Sequence, residues 1–302
     1  MWFKNALMYR FTQTPEFSPE SLEQQLQEFS FKPCANTEVQ SIGWAPALSP
    51  KTEALVHASG QAYLINLKKQ EKVLPAAVVK ELLDEKIELI QEQEDRKVKG
   101  KEKQTMKEEL IHTLLPQAFS KSSFLRALIV PQAGWIFVES ASHNKAEELL
   151  AHLRKTLSSL PVVPPESEVG IPVILTDWMR GQHPTDFVLG AEVELKDFAD
   201  DEGVLRCKNL ALDSDDLQNH LDNGKMVTRL AVEWKETLSC LIGEDASIKR
   251  IQFSDVIKEQ NEDITDEDKL ARLDADFTLM AGELTAFAER LSEVLQFTAA
   301  EE

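Results

Sequence analysis

The chain has 302 residues, 42% of them hydrophobic, enough to bury a sizeable core in one elaborate domain or in two. Its 52 Asp and Glu against 33 Lys and Arg leave a formal charge of −19, which discourages nonspecific polyanion contact over most of the surface. Three cysteines, Cys34, Cys207 and Cys240, show no C-x-x-C spacing; they exclude a disulfide framework or zinc ribbon and fit a reducing cytosol.

The opening residues, MWFKNALMYRF, lack the long apolar run of a signal peptide and read as a strand over 2–12. Ser18 and Pro19 then start a helix, the Ser as cap and the Pro in its first turn, with Leu22, Leu26 and Phe29 as its stripe. Residues 54–67 read as two strands joined at Ser59 and Gly60. Pro75 precedes a helix whose apolar face is Val79, Leu82, Leu83, Ile87 and Ile90.

A basic stretch follows, RKVKGKEKQTMK over 96–107. It carries six cations (Arg96, Lys97, Lys99, Lys101, Lys103 and Lys107) against one acid, Glu102. Screening confines charge interactions to about 8 Å at physiological salt, so a local basic surface can hold phosphate while the remainder repels it. A solvated loop between helices is the competing reading. A second helix carries Met106, Leu110, Ile111 and Leu114, with His112 as a surface or interhelical residue rather than a ligand, and stops at Pro116. Residues 76–116 are thus expected to form a helical hairpin holding its basic segment near the turn. Phe119 and Phe124 come next, with Lys121 and Arg126 nearby; an aromatic beside cations can stack on a base, although such a ring is more often packed.

Residues 125–138 read as a β-hairpin turning at 131–134. Asn144 and Glu147 resemble a capping box opening a helix with Ala146, Leu149, Leu150, Leu153 and Leu157 inward. Pro161, Pro164 and Pro165 break the chain, and a domain boundary is expected there. Beyond it, strands are expected at 171–175, 187–195, 203–210, 227–234, 238–242 and 248–253, with short helices at 214–222 and 254–260. Thr265 is read as the cap of a last helix whose stripe is Leu273, Phe277, Met280, Leu284, Phe287 and Leu291. Strands and helices mix without βαβ alternation, so the class is α+β, mixed sheets with flanking helices. The organisation expected is an N-terminal α+β core (1–75 and 121–165), a helical finger with the basic segment (76–120), and a C-terminal α+β domain (166–302). No window reaches 18 uninterrupted apolar residues, so no membrane span is expected and a cytoplasmic location is.

No phosphate-cradling G-x-G-x-x-G or G-x-x-x-x-G-K-[ST] occurs, no G-x-S-x-G elbow, and no histidines at i, i+4 spacing. No catalytic residue, metal site or cofactor is therefore expected. The best nuclease candidates are Asp274, Asp276 and Glu283. Two-metal chemistry needs carboxylates clustered around cations about 3.5–4 Å apart, whereas Asp276 and Glu283 stand about 10 Å apart along a helix and Asp274 points elsewhere. The acids Glu262, Asp263, Asp266, Glu267 and Asp268 gather where a helix dipole favours them. Residues 254–302 hold 14 acids and four bases, a net −10 that DNA would repel.

Several blocks together resemble the RdgC family of bacterial recombination-associated proteins. They are MWFKNALMYR at 1–10, Phe31-Lys32-Pro33-Cys34, Ile42-Gly43-Trp44, KVLPAAVVK at 72–80, LLPQAFS at 114–120 and LSSLPVVP at 157–164. GKMVTRLAVEW at 224–234, SIKRIQFSDVIKEQNEDI at 247–264 and DADFTLMAGEL at 274–284 complete the series. The resemblance implies a non-enzymatic protein that encircles duplex DNA as a ring-shaped homodimer, largely without sequence preference, and restrains RecA-driven strand exchange on the nucleoid. Single-stranded DNA stays open as a second ligand. A two-subunit ring needs two isologous contacts per subunit. Arg96, Lys97, Lys99, Lys103 and Lys107 match the family's basic finger, and Phe119 matches an aromatic near a contact that closes the ring, hence a dimer-interface residue. Lys101 and Lys121 join the DNA-binding candidates. Here the basic positions are offset by one at Gly100-Lys101, Gln117 stands where some members have Arg, and Asn209 and Leu210 are less cationic than in relatives. Lys4, Arg10, Lys68, Lys69, Lys249 and Arg250 are further cations for the lumen. The alternative to DNA binding is an interaction protein that inhibits RecA by direct contact through its acidic half.

Overall fold

The computed structural model describes residues 1–197, 203–209, 214–261, 264 and 268–299. The chain divides into two compact units. The first comprises Met1–Glu28, Pro46–Asn66 and Leu125–Glu302, and the second Phe29–Ala45 and Leu67–Phe124. The expected finger, 76–120, falls wholly in the second unit, and the three-proline break at 161–165 lies inside the first.

In the first unit, β1 (Asn5–Phe11) pairs antiparallel with β6 (Trp135–Val138), which pairs with the later part of β5 (Phe119–Val130). The turn joining β5 and β6 closes with Gly134 N–H donating to Pro131 O at 3.2 Å, and Gly134 takes φ +74°, a conformation that glycine adopts without steric cost. On its other edge β1 meets β12 (Ile248–Phe253) and, farther along, β7 (Val162–Val163). The series continues antiparallel through β11 (Leu238–Gly243), β10 (Met226–Trp234), β8 (Phe187–Lys196) and β9 (Val204–Lys208). β3 (Val56–Ser59) pairs with the start of β4 (Ala62–Val73) across Gly60. Antiparallel strands mixed with helices make the class α+β.

Helices supply the rest of this core. α1 (Pro19–Glu28) buries Leu22 and Leu26, and Ser18 Oγ accepts from Ser21 N–H at 3.2 Å, as a cap should. α4 (His143–Leu157) buries Ala146, Leu149, Leu150 and Leu153 as expected, but its N-cap is Ser142 rather than Asn144, and no capping side-chain bond forms. Residues 171–175, read as a strand, open α5 (Ile171–Asp177). Pro172 sits in the first turn, where its missing N–H costs nothing, and Ile171, Ile174 and Leu175 bury at helical spacing. A run of five apolar residues is ambiguous between the two periods, and the proline decides it. The short helices appear as α6 (Asp215–Asp222) and α7 (Asp255–Lys258). α8 (Lys269–Val294) buries Phe277, Met280, Leu284, Phe287 and Leu291. Its cap is Asp268, which accepts from Ala271 N–H at 3.0 Å; Thr265, the expected cap, lies outside the described residues, as do Glu262, Asp263, Asp266, Glu267 and Leu210.

In the second unit β2 (Gln40–Ala45) lies beside β4, and β4 beside β5. The segment before β2 crosses it closely: Phe31 N–H donates to Trp44 O at 2.8 Å and Trp44 N–H to Phe29 O at 3.0 Å. Gly43 permits the approach, since a Cβ there would stand 2.6 Å from Phe31 Cα and 2.9 Å from Phe29 O, both backbone atoms that cannot rotate away. Gly43→Ala is expected to cost about 1–3 kcal/mol in denaturant unfolding, the range of overpacking. A change below a few tenths would mean that the crossing relaxes freely.

α2 (Ala76–Glu94) and α3 (Gly100–Leu114) then form the expected helical hairpin. Leu83, Ile87 and Met106 make its buried seam, with Ile90, Val98 and Leu110 packed around them. The basic segment is less of a turn than expected. Only residues 95–99 connect the helices, and Lys101, Lys103 and Lys107 ride on α3. Lys, Glu, Gln and Met are good helix formers, so charge density alone does not make a loop.

Candidate nucleic-acid interface

All eight predicted site residues lie in the second unit. α2 ends at Asp95 in the left-handed region, φ +48°, which a short polar side chain tolerates. The chain thereby reverses and carries Arg96 back toward α3. Arg96 forks onto Glu102, with Nη1 to Oε2 at 2.7 Å and Nη2 to Oε1 at 2.6 Å, while its Nε donates to Glu94 Oε2 at 2.5 Å. The guanidinium's hydrogen bonds hold the Glu102 carboxyl below its usual range, and the two carboxylates push Arg96 upward. Arg96 therefore closes the turn, and its fork is already occupied.

Lys103 Nζ donates to Asp84 Oδ1 at 3.1 Å across the two helices. Lys99 lies close enough to Glu102 to help stabilise its charge. Lys97, Lys101 and Lys107 are exposed and make no ion pair among the described residues. These are the cations most available to a phosphate. An exposed ion pair is worth only about 0–1 kcal/mol, so the Asp84 contact does not bar Lys103 from a stronger anion.

β5 opens with its first six residues exposed. Phe119 is 86% exposed, the largest value among the exposed large hydrophobics of the described residues. Alternation puts Phe119 and Lys121 on one face of the strand and Phe124 on the other, so the two rings that are neighbours in sequence do not act as one pair. Phe124 instead faces Lys68, whose Nζ stands 5.7 Å from its ring centroid and 4.2 Å from that of Phe31. Sequence reasoning named Lys68 as a spare cation and missed this sandwich, because nothing local links positions 31, 68 and 124. It also missed Lys72 and Lys80, which border the same apolar groove as Lys103 and Lys107. Both stand outside the basic run, and only the packing of α2, α3 and the end of β4 brings the four together.

The remaining cations are largely engaged. In the first unit Arg10 lies 5.6 Å from the Trp135 ring centroid and donates to Thr298 O at 3.2 Å. Lys249 neighbours Asp245 at 4.0 Å, and Arg250 pairs with Glu192 at 2.5 Å. Lys4 is exposed; in the second unit Lys69 pairs with Glu71 at 3.0 Å.

The nuclease candidates are drawn into separate structural contacts. Asp274 Oδ1 meets His57 Nε2 at 2.8 Å, whereas Asp276 accepts from Asn261 Nδ2 at 3.2 Å and from the Met1 ammonium at 2.5 Å. Glu283 lies about two helical turns farther along α8. Among the described residues no three His, Cys, Asp or Glu side chains come together as a metal site, and no helix is long and apolar enough to cross a membrane.

A family model described as "Putative exonuclease, RdgC" matches residues 1–298. The chain is 44% identical over 297 residues to a protein of Pseudoalteromonas translucida (strain TAC 125) named "Recombination-associated protein RdgC", covering 98% of both. It is 45% identical over 296 residues to the protein of that name from Shewanella denitrificans, and 44% over 296 residues to that of Aeromonas hydrophila subsp. hydrophila, again covering 98% of both chains.

Proposed function

The chain belongs to the RdgC family, and from that premise we propose that it is a non-sequence-specific DNA-binding protein of recombination, a dimeric ring that encircles duplex DNA on the nucleoid and restrains RecA. The observation that carries this reading is the segregation of charge. A chain of −19 presents Lys97, Lys101 and Lys107 exposed, and unpaired among the described residues, within one short segment. Such lysines attract phosphates irrespective of base, so sequence preference is weak and affinity comes from released counterions. The test is anisotropy on a random duplex of about 40 base pairs titrated with salt, where log K should fall about 0.9 per phosphate contacted. Salt-insensitive or strongly sequence-selective binding would sink the reading.

Phe119 serves in a contact between copies. An exposed aromatic of this size is commonly an interface anchor. Phe119→Ala is expected to leave the circular dichroism of the folded chain unchanged, because the ring is exposed, while weakening self-association in sedimentation and duplex affinity severalfold. Unchanged association would remove Phe119 from the interface.

The word exonuclease in the family description favours a second reading, nuclease action through Asp274, Asp276 and Glu283. Their separate partners argue against it. Labelled duplex incubated with magnesium or manganese is expected to stay intact; cleavage that disappears in Asp276→Asn would establish the nuclease instead.

A further inference from the structure

Two aromatic rings stand among the exposed large hydrophobics of the described residues, Phe119 and Phe124. Phe119 serves a contact between copies, whereas Phe124, 52% exposed, projects from the other face of β5. It shares the Lys68 ammonium with Phe31, Nζ standing 5.7 Å from the Phe124 centroid and 4.2 Å from that of Phe31. The backbone holds each member of this cluster in place. β4 and β5 are neighbours in the sheet and fix Lys68 and Phe124. The Phe31 segment is tied down by Phe31 N–H donating to Trp44 O at 2.8 Å and Cys34 N–H donating to Gln70 Oε1 at 2.9 Å, two positions along β4 from Lys68. Lys68 makes no ion pair or hydrogen bond among the described residues, so only the two rings answer its charge. A preorganised cation beside two aromatic rings, one of them half exposed, suits a ligand that joins a planar ring to an anion.

We propose that Phe124 is a stacking platform for an unpaired nucleobase and that Lys68 takes the adjoining phosphate, so that single-stranded DNA is held by residues other than the lysines of 96–107. The inference rests on the DNA-binding reading above and adds to it a second kind of DNA ligand with its own contacts. Chemistry separates the two. Along a duplex the base faces are stacked inside the helix, so a surface ring has nothing to stack on and lysines meet phosphates alone. An unpaired base offers its π-face whatever its identity, and the Lys68 charge strengthens the hold on the strand that carries it. Two other occupants fit less well. A second copy docking here about a two-fold axis would bring its own Lys68 toward this one, like charge against like. An acidic peptide would answer Lys68 but leave the half-exposed ring without a planar partner.

The test uses the full-length protein, an oligothymidylate of about 20 nucleotides with 2-aminopurine spaced along it, and a random duplex of about 40 base pairs. Anisotropy reads both affinities, and 2-aminopurine emission reads stacking. Binding of the single strand is expected to quench that emission. Phe124→Ala, at an exposed position and so compatible with folding, should remove the quench and weaken oligothymidylate at least about fivefold. Duplex affinity should stay within about twofold, and Phe124→Trp should restore the quench. Lys68→Gln should lower the salt slope for oligothymidylate by about 0.7, one single-strand phosphate. Unchanged oligothymidylate binding in Phe124→Ala would overturn the proposal, as would a wild-type protein that binds duplex but no single strand. Equal losses on both DNAs would also overturn it, since the ring would then serve the duplex surface. Weakened self-association of Phe124→Ala in sedimentation would assign the ring to a contact between copies instead. A wild-type protein that binds neither DNA would remove the DNA-binding reading itself and this site with it.

Discussion

Changing Lys97, Lys99, Lys101 and Lys103 together to alanine is expected to flatten the salt dependence of duplex binding more than any other surface change. Each phosphate contact contributes about 0.9 to the slope, so four lost contacts would remove up to about 3.6. The geometry divides that loss unevenly. Lys97 and Lys101 are exposed, with no ion pair among the described residues, and should each contribute close to a full contact. Lys103 must leave Asp84, and Lys99 shares its field with Glu102, so both contribute less. A reduction of about 2 to 3 is the expected result. Arg96→Ala is the informative control. Its fork already holds Glu102 and Glu94, so its loss frees two carboxylates beside the binding surface, disturbing the turn and adding repulsion. All four lysines are exposed, so the thermal midpoint of the quadruple variant should match wild type. An unchanged slope would make the segment a solvated surface and move the search to the cations of the first unit.

Phe287→Ala is expected to produce the largest loss of stability. The side chain is 0% exposed, its ring centroid 5.3 Å from that of Trp234 and 6.2 Å from that of Phe187. Truncating a buried phenylalanine costs about 3–5 kcal/mol, transfer and cavity terms together. That is a large part of a typical stability of about 5–15 kcal/mol. One turn on, Arg290 clamps Asp186 through two bonds of 2.9 and 3.0 Å, and Trp234 Nε1 donates to the same carboxylate at 3.1 Å. The polar clamp and aromatic cluster hold α8 in one register, so the site has little freedom to collapse around a void. Tryptophan fluorescence in a denaturant titration reads the change directly, since Trp234 is the neighbour. A loss below about 1 kcal/mol would show that α8 repacks, contrary to the clamp. Phe119 and Phe287 are the same residue type with opposite expected effects, and burial is what separates them.

Most strands and helices were legible because their signals are local. Alternation of Leu230, Val232 and Trp234 marked β10, the 3.6-residue stripe marked α8, and Gly60 and Gly134 marked the hairpin turns. The misreadings were local ties. Residues 171–175 carried an apolar run compatible with either period, and the α4 cap lay between Ser142 and Asn144, both capable residues. The candidate site was half legible. Its cations are contiguous and could be read directly, whereas the exposure of Phe119 could not, because a ring in that setting is more often packed.

The amino-acid sequence by itself determined the α+β class, the hairpin of residues 76–116, the segregation of six cations in an acidic chain and, through its ordered blocks, the family. Only the tertiary structure decided which of those cations are free. Arg96 is bound because the reversal at Asp95 returns it to Glu102, and Lys103 is bound because α2 and α3 pack with Asp84 opposite. The lysines at 72, 80, 103 and 107 share one groove, although the first and last stand 35 positions apart. Charge and periodicity are properties of neighbours along the chain, whereas a side chain's electrostatic partner is whatever packing places within a few ångströms, and no local pattern encodes that.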